Sequence, residues 1–280
     1  MLTIIIINYN SGGALRRCLH SIVDAGFTGQ VIVRDNGSSD DSLCCPPLGL
    51  DLRVIRGDNI GYGAACNLAA QECGSPYLLF LNPDILLTEE CISLPLEIMQ
   101  GMEECAIVGV SLQDEEGKLI PSCMHFPKPR HLFAKAVGLN KVLPNQFPNH
   151  YCRDQSSSRA VDCVLGAFLM VRRSAFEQCG GFDPAYFLYF EEIDLAQRLR
   201  RRGYLCYYCA QCRATHLGGA STRKTPAAAH NYYVKSRRRY ARTYHSGPSF
   251  MALAAASALI EPWLRALFYR KNSMYRRNHP

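Results

Sequence analysis

The sequence predicts an α/β domain followed by a basic helical tail, and three observations carry that expectation. Apolar runs of strand length alternate with helix-patterned segments along the first part of the chain. Polar Asn, Asp and Gly residues stand at the carboxyl end of one run after another. The charge then changes sign: from Arg198 onward there are 17 Lys and Arg and a single acid, Glu261, whereas residues 1–197 hold 14 Lys and Arg against 23 Asp and Glu.

Leu2–Asn8 is a continuous apolar run, as expected of a parallel strand buried on both faces. A glycine-bearing turn, Asn10-Ser11-Gly12-Gly13, leads to a helix at 14–25 with Leu15, Cys18, Leu19 and Ile22 on one stripe. Strands are expected at 30–34, ending in Asp35-Asn36-Gly37-Ser38, and at 52–56. Asn59-Ile60-Gly61-Tyr62-Gly63 opens a helix to 72. The strand Tyr77–Leu81 closes at Asn82-Pro83-Asp84, where proline ends pairing. A helix at 88–102 and a strand at 106–112 follow, then a Pro-, His- and Phe-rich loop with local helix at 121–160. The strand 166–171, the turn Gly180-Gly181-Phe182-Asp183-Pro184, a helix from Glu191 to 202 and a closing strand at 204–209 complete the domain, taken as 1–225. The tail, 226–280, carries Arg237-Arg238-Arg239 in a basic helix and an apolar helix from Pro248 to near Phe268.

Hydrophobic residues make up 48% and charged residues 20% of the chain, the balance of a folded globular protein rather than a disordered or fibrous one. The fourteen cysteines are scattered. Cys206, Cys209 and Cys212 are three apart, but no second Cys/His pair stands at zinc-finger spacing. Met1-Leu2-Thr3 runs straight into the apolar stretch 4–7 with no basic leader region, so free thiols in a reducing cytoplasm are expected. The apolar segment 250–260 is 11 residues without a charge, too short to span a bilayer. With Trp263, Phe268, Arg265, Arg270 and Lys271 around it, this segment suits an interfacial helix or a dimer-packing helix.

In an open α/β sheet the carboxyl ends of the strands converge on a ligand crevice. Asn8, Asn10, Asp35, Asn36, Asn59 and Asp84 should therefore share one pocket, although each alone could be a turn or cap residue. Glu191, Glu192 and Asp194 open a helix. As first-turn acids they complement its dipole, and Glu192 points about 100° away from the face shared by Glu191 and Asp194.

Taken in order, the motifs Ile7-Asn8-Tyr9-Asn10-Ser11, Asp35-Asn36-Gly37-Ser38, Asn59-Ile60-Gly61-Tyr62-Gly63 with Asn67, Leu79-Phe80-Leu81-Asn82-Pro83-Asp84, Gly166-Ala167, Gly181-Phe182-Asp183, Tyr189-Phe190-Glu191-Glu192-Ile193-Asp194 and His216 with Gly219 and Ser221 resemble a known family. They are similar to the inverting family 2 glycosyltransferases of the GT-A fold, in particular the rhamnosyltransferase-like branch. The resemblance spans about 2–222 and implies a Rossmann-like mixed central sheet flanked by helices. It implies donor binding by Asn8, Asn10, Asp35, Asn36, Asn59, Gly61, Asn67 and Asn82, with Asp35 accepting a hydrogen bond from the base. Asn82-Pro83-Asp84 stands where the family has Asp-X-Asp, so Asp84 is the expected ligand of a divalent metal, Mn2+ or Mg2+, and His216 the second. The family's catalytic pattern is Glu-Asp; here Glu192 occupies the place of the base, Glu191 is the alternative and Asp183 the third. Gly166 and Asp183 are assigned to the acceptor.

The expected partners are a nucleotide-sugar donor (dTDP or UDP), a saccharide or polyprenyl-linked acceptor and the inner surface of the cell membrane, with a homodimer through the C-terminal helices left open. A sugar-phosphate nucleotidyltransferase would want a basic residue in the loop after the first strand, and Asn8-Tyr9-Asn10-Ser11-Gly12-Gly13 supplies none. A catalytically inactive nucleotide-sugar-binding protein stays open because Glu replaces Asp at 192. Nucleic acid is excluded as a partner, because the strand-end acids repel phosphate without a metal.

Overall fold

The run of four isoleucines near the start of the chain lies in strand β1 (Leu2–Asn8), whose seven residues are all buried. The computed structural model describes residues 1–44, 46–147, 149–218, 226–245 and 247–263. After β1, helix α1 (Gly13–Asp24) buries Leu15, Cys18, Leu19 and Ile22 in one cluster with Ile4, Ile6, Val31 and Val33. Strands β2 (Gln30–Asp35) and β3 (Asp51–Arg56) add in parallel on one side of β1. Helix α2 (Tyr62–Gln71) returns the chain to β4 (Tyr77–Leu81), parallel to β1 on its other side. Strand β3 is the edge, and its exposed Asp51, Arg53 and Arg56 are the charges that discourage further pairing there.

The second half begins with β5 (Ile85–Leu86), α3 (Glu90–Gly101) and β6 (Cys105–Gln113). Short pieces follow: β7 (Leu119–Ile120), β8 (Cys123–Met124), α4 (Pro129–Ala136), α5 (Leu139–Val142), β9 (Arg159–Val161) and β10 (Cys163–Val164). Then come β11 (Phe168–Arg172), α6 (Arg173–Gln178), α7 (Glu191–Arg200), β12 (Leu205–His216), α8 (Pro226–Tyr244) and α9 (Pro248–Ala255), which runs into the π-helical turn Ala256–Ile260. The sheet order is β3-β2-β1-β4-β11-β6-β12-β5. Strand β11 is antiparallel to both β4 and β6, β12 is parallel to β6, and β5 is antiparallel to β12. The sheet is mixed, as expected.

The closing strand is longer than the sequence suggests. A register shift between Cys209 and Arg213 lets β12 keep pairing with β6, so it runs on to His216, which lies in a strand and not in a loop. Bulges of this kind re-aim side chains beside functional sites. Asn8, Asp35, Leu81 and His216 end their strands, and β11 starts at the same edge, with Phe168 paired to Leu81.

The chain divides into two compact units. Residues 1–126 and 151–232 form the first, which holds the sheet; residues 127–150 and 233–280 form the second. Within the second unit α4 packs against α9 and the π-helical turn, and His245 Nε2 lies 3.0 Å from the carbonyl oxygen of Pro127. Segment 127–150, within the expected loop with local helix, packs with tail residues because Leu132, Ala134 and Ala136 give α4 a buried face. Gly219, Ser221 and the expected end of the apolar helix near Phe268 lie outside the described residues.

Candidate active site

The first two strand ends are tied together by side chains. The Asn8 amide donates to Asp35 Oδ1 at 2.8 Å and to Ser42 Oγ at 2.8 Å, and its oxygen accepts from Ser11 Oγ at 2.5 Å. Ser38 donates to Asp35 Oδ1 at 2.6 Å, and its backbone N–H donates to Oδ2 at 3.1 Å. Asn10, at a left-handed φ of 50°, accepts from the Ser39 N–H at 2.8 Å. Asp35 thus holds the Asx-type turn that begins at its own strand end. Next to it Asn36 donates to the Gly61 carbonyl at 3.2 Å, which fixes its amide orientation and leaves a buried Oδ1 without a partner.

The glycine loop after β3 is stitched to the segment before α7. Asn59 accepts from the Gly61 N–H at 3.2 Å, and the Tyr62 N–H donates to the Phe187 carbonyl at 2.9 Å. Gly61 has a φ of 91°, and a Cβ there would fall 2.6 Å from the Phe187 oxygen, so backbone must approach backbone. Asn67 donates to the Phe182 carbonyl at 2.8 Å and accepts the Phe182 N–H at 2.9 Å. Both ends of its amide are used within the protein. Asp183 Oδ1 accepts the Ala185 N–H at 3.0 Å.

Tyr189 and Phe190, at φ 68° and 71°, are consecutive non-glycine residues in the left-handed region. Such conformations cost of order 1 kcal/mol each and persist only when the surroundings enforce them. Here Phe190 is buried at the head of α7, and Phe187 stacks on Tyr232 with ring centroids 4.3 Å apart.

That turn delivers the acids. Glu191 is 5% exposed, and a Cβ on Gly63 would lie 3.5 Å from its Cβ. Burial, reinforced by the neighbouring Glu192, raises its pKa well above the carboxylate range. Its charge in turn raises the Tyr62 and Cys66 pKa values, after burial, which is the larger cause. Glu192 is half-buried against Gly166, where a Cβ would lie 3.4 Å from that of Glu192. Burial pushes its pKa up to about 7, and the N–H groups of Glu192, Ile193 and Gly166 pull partly the other way. Glu191 Oε2 and Glu192 Oε2 are both buried with no hydrogen-bond partner. Asp194 is paired with Arg198 at 2.7 Å, whereas Arg200 pairs with Asp162 at the other end of α7.

Gly166 joins the acids to the fourth strand end. The Asn82 N–H donates to the Ala167 carbonyl at 2.9 Å, and Tyr62 donates to the Gly166 carbonyl at 3.3 Å. The Asn82 carbonyl accepts the Ile85 N–H at 3.2 Å in a turn, and Asp84 is buried within it. Pairing of Ile85 with His216 then sets His216 Nε2 3.4 Å from Asp84 Oδ2, across 132 residues of sequence. His216 Nδ1 is buried without a partner. A carboxylate oxygen and a half-buried imidazole side by side fit a divalent cation with hard to borderline preference. Among the described residues no third His, Cys, Asp or Glu joins them.

Residues 3–180 match the family described as glycosyl transferase family 2. The chain belongs to that family. It lies in the rhamnosyltransferase-like branch: it is 30% identical over 271 residues to the N-acetylglucosaminyl-diphospho-decaprenol L-rhamnosyltransferase of Mycobacterium tuberculosis, covering 88% of this chain and 86% of the relative. To the rhamnosyltransferase WbbL of Escherichia coli it is 28% identical over 251 residues, covering 86% and 92%. The mannosyltransferase PcManGT of Pyrobaculum calidifontis, solved with GDP-Man and Mn2+, superposes with a TM-score of 0.58 at 16% identity over 94% of this chain and 71% of that one. The TarS 1–349 structure from S. aureus with UDP-GlcNAc gives 0.57 at 13%, over 92% and 70%. That likeness carries the GT-A fold. The glycosyltransferase thus has the expected fold and family.

Sequence reasoning did not single out Ser42, Asp40 or Tyr62. Asp40 Oδ2 accepts the Gly12 N–H at 2.9 Å, at the head of α1. The run Ser38-Ser39-Asp40-Asp41-Ser42 carried the signal, since Ser and Asp in such density satisfy backbone donors at turns and caps.

Proposed function

We propose that this glycosyltransferase moves a sugar, rhamnose by the relatives' names, from a dTDP- or UDP-sugar to a hydroxyl of a saccharide or polyprenyl-linked acceptor, with inversion, in cell-surface polysaccharide synthesis. The observation that carries the reading is Glu192: a half-buried carboxylate whose pKa lies near 7, packed against Gly166 next to the Ala167 carbonyl that anchors Asn82. A general base works best when its pKa is close to the working pH. In the proposed step Glu192 takes the acceptor hydroxyl's proton as its oxygen bonds to the anomeric carbon. The bond to the nucleoside diphosphate breaks on the opposite face, and its electron pair leaves with the diphosphate.

Asp84 and His216 are the residues that would hold a divalent metal, which when bound neutralises charge building on the leaving diphosphate. The Asn8–Asp35 turn and the buried Asn36 carbonyl line the reading site for the base and ribose, and Asn59 and Gly61 shape its wall. Gly166 and Asp183 are assigned to the acceptor side. The working place in this reading is the cytoplasmic face of the membrane, as a peripheral protein; no described helix is long and apolar enough to cross a membrane.

Thermal shift with Mn2+ present tests the donor. Stabilisation by dTDP-rhamnose above UDP-sugars is expected, and no response to any nucleotide-sugar would sink the assignment. One observation favours a second reading, an inactive sugar-nucleotide binder: the Glu192 carboxylate is partly held by its own helix N–H groups. Hydrolysis of donor by wild type, absent in Glu192→Gln and Asp84→Ala, would dispose of it.

A further inference from the structure

The outward side of the α9 helix and the turn beyond it carries no charge. Met251, Leu259 and Trp263 are 70%, 77% and 64% exposed, and with exposed Ala255 they form a ridge of four-residue steps along the helix. From Pro248 to Trp263 the one charged residue is Glu261, and it is buried: Arg237 Nη2 lies 2.5 Å from Glu261 Oε2 and 2.7 Å from Ser257 Oγ. A helix packed on one side and facing water on the other would carry polar residues outward. This one carries methionine, leucine, isoleucine and tryptophan.

The charge of the unit names the occupant. Residues 127–150 and 233–280 hold 14 Lys and Arg and a single acid, Glu261, whereas the rest of the chain holds 17 against 23. Helix α8 exposes Lys235, Arg238, Arg239 and Arg242 at helical spacing. The Arg237–Glu261 pair withdraws the only acid from the surface. Two copies meeting through such units would repel each other, while an anionic surface attracts one.

We infer that the helix from Pro248 to Trp263 is an interfacial anchor that seats the second unit on an anionic lipid bilayer, with Met251, Ala255, Leu259 and Trp263 entering the headgroup boundary. Tryptophan belongs at that depth, where its ring meets an apolar layer and its N–H stays wet. The anchor deepens the proposed function, on which it rests for the acceptor's location at a membrane. It supplies attachment without a span, through apolar insertion plus basic attraction.

Trp263 is the only tryptophan of the chain, so its fluorescence reads the anchor directly. The full-length protein is mixed with vesicles of phosphatidylcholine alone and of an equimolar mixture with phosphatidylglycerol. The expected result is a blue shift with the mixed vesicles, quenching by lipids brominated on the acyl chain, and release as salt rises. Leu259→Glu should weaken vesicle binding by about tenfold or more, and so should Arg238→Glu with Arg242→Glu. Both variants should keep the wild-type thermal shift with dTDP and Mn2+. Unchanged Trp263 emission with anionic vesicles, or undiminished binding by Leu259→Glu, would overturn the inference. So would a lipid-free blue shift that grows with protein concentration, which marks a second copy as the occupant. Vesicle binding without any nucleotide response would instead defeat the transferase reading and leave the anchor standing.

Discussion

Replacing Glu192 by glutamine should abolish transfer and stabilise the protein in the same step. Burial raises this carboxyl from 4.5 to about 7, and the interval corresponds to about 3 kcal/mol of preference for the protonated form. A raised folded-state pKa means that the folded protein holds a proton the unfolded chain gives up. The contribution to stability is complete below the unfolded value near 4.5 and is lost as pH rises through 7. Above that, the folded state carries a buried charge that opposes it. Glutamine has nearly the same shape, can still accept from the Gly166 and Ile193 N–H groups, and never ionises. It also removes the charge that helps push Glu191 upward, which acts in the same direction.

The variant's advantage should therefore be close to zero near pH 4.5 and reach about 3 kcal/mol near pH 8, roughly 6–10 °C in Tm for a chain of this size. Thermal unfolding of both proteins across that range measures it. Wild-type kcat should rise with pH and level off above about 7, because the base must be ionised before it accepts a proton; the variant should lose about 100-fold or more. A Gln variant that is less stable than wild type at high pH, or a difference that does not change with pH, would refute the placement of an ionisable base in this buried position.

Asp84→Ala and His216→Ala should each remove the Mn2+-dependent part of the nucleotide-sugar thermal shift while the metal-free protein keeps its fold by circular dichroism; persistence of the metal effect in both would remove the pair from metal binding. Gly61→Ala puts a methyl 2.6 Å from the Phe187 oxygen at a φ of 91°, and the combined clash and strain should cost about 2–4 kcal/mol by denaturant unfolding. Asn67→Ala leaves the N–H and carbonyl of Phe182 without their side-chain partners, for a loss of about 2–3 kcal/mol. Because its amide is used inside the protein, this substitution should lower stability more than it lowers affinity for the donor.

The sheet was legible because its signals are local. A run such as Leu2–Asn8, apolar without alternation, can be buried on both faces only in the middle of a sheet, and the polar residues that end successive strands lie at one edge by the geometry of parallel pairing. What escaped depends on pairing between distant segments. His216 reads as a loop residue because nothing near Cys212 or Arg213 announces that a bulge will restore register with β6. The segment 121–160 reads as a loop with local helix, and what its sequence does not announce is that α4 finds a partner in α9 more than a hundred residues later. Asn67 is a polar residue in the middle of α2, and periodicity cannot tell a ligand contact from a clasp on a neighbouring backbone.

The choice between the two glutamates turns on the same difference. Helical spacing separates Glu191 from Glu192 by an angle of about 100° but does not say which direction is the crevice. The surroundings favour Glu192 in the proposed role. Glu191 points among Tyr62, Gly63 and Cys66, groups of the protein's own second helix, and burial together with the neighbouring Glu192 raises its pKa well above the ordinary value. Glu192 lies against Gly166, beside the strand end that carries Asn82 and Asp84, and the absence of a side chain at 166 leaves room over its carboxylate. The charge of Glu192 is among the causes that raise Glu191, as expected where two carboxyls sit side by side. On that argument we propose the base at 192, and Glu191→Gln should preserve transfer far better than Glu192→Gln.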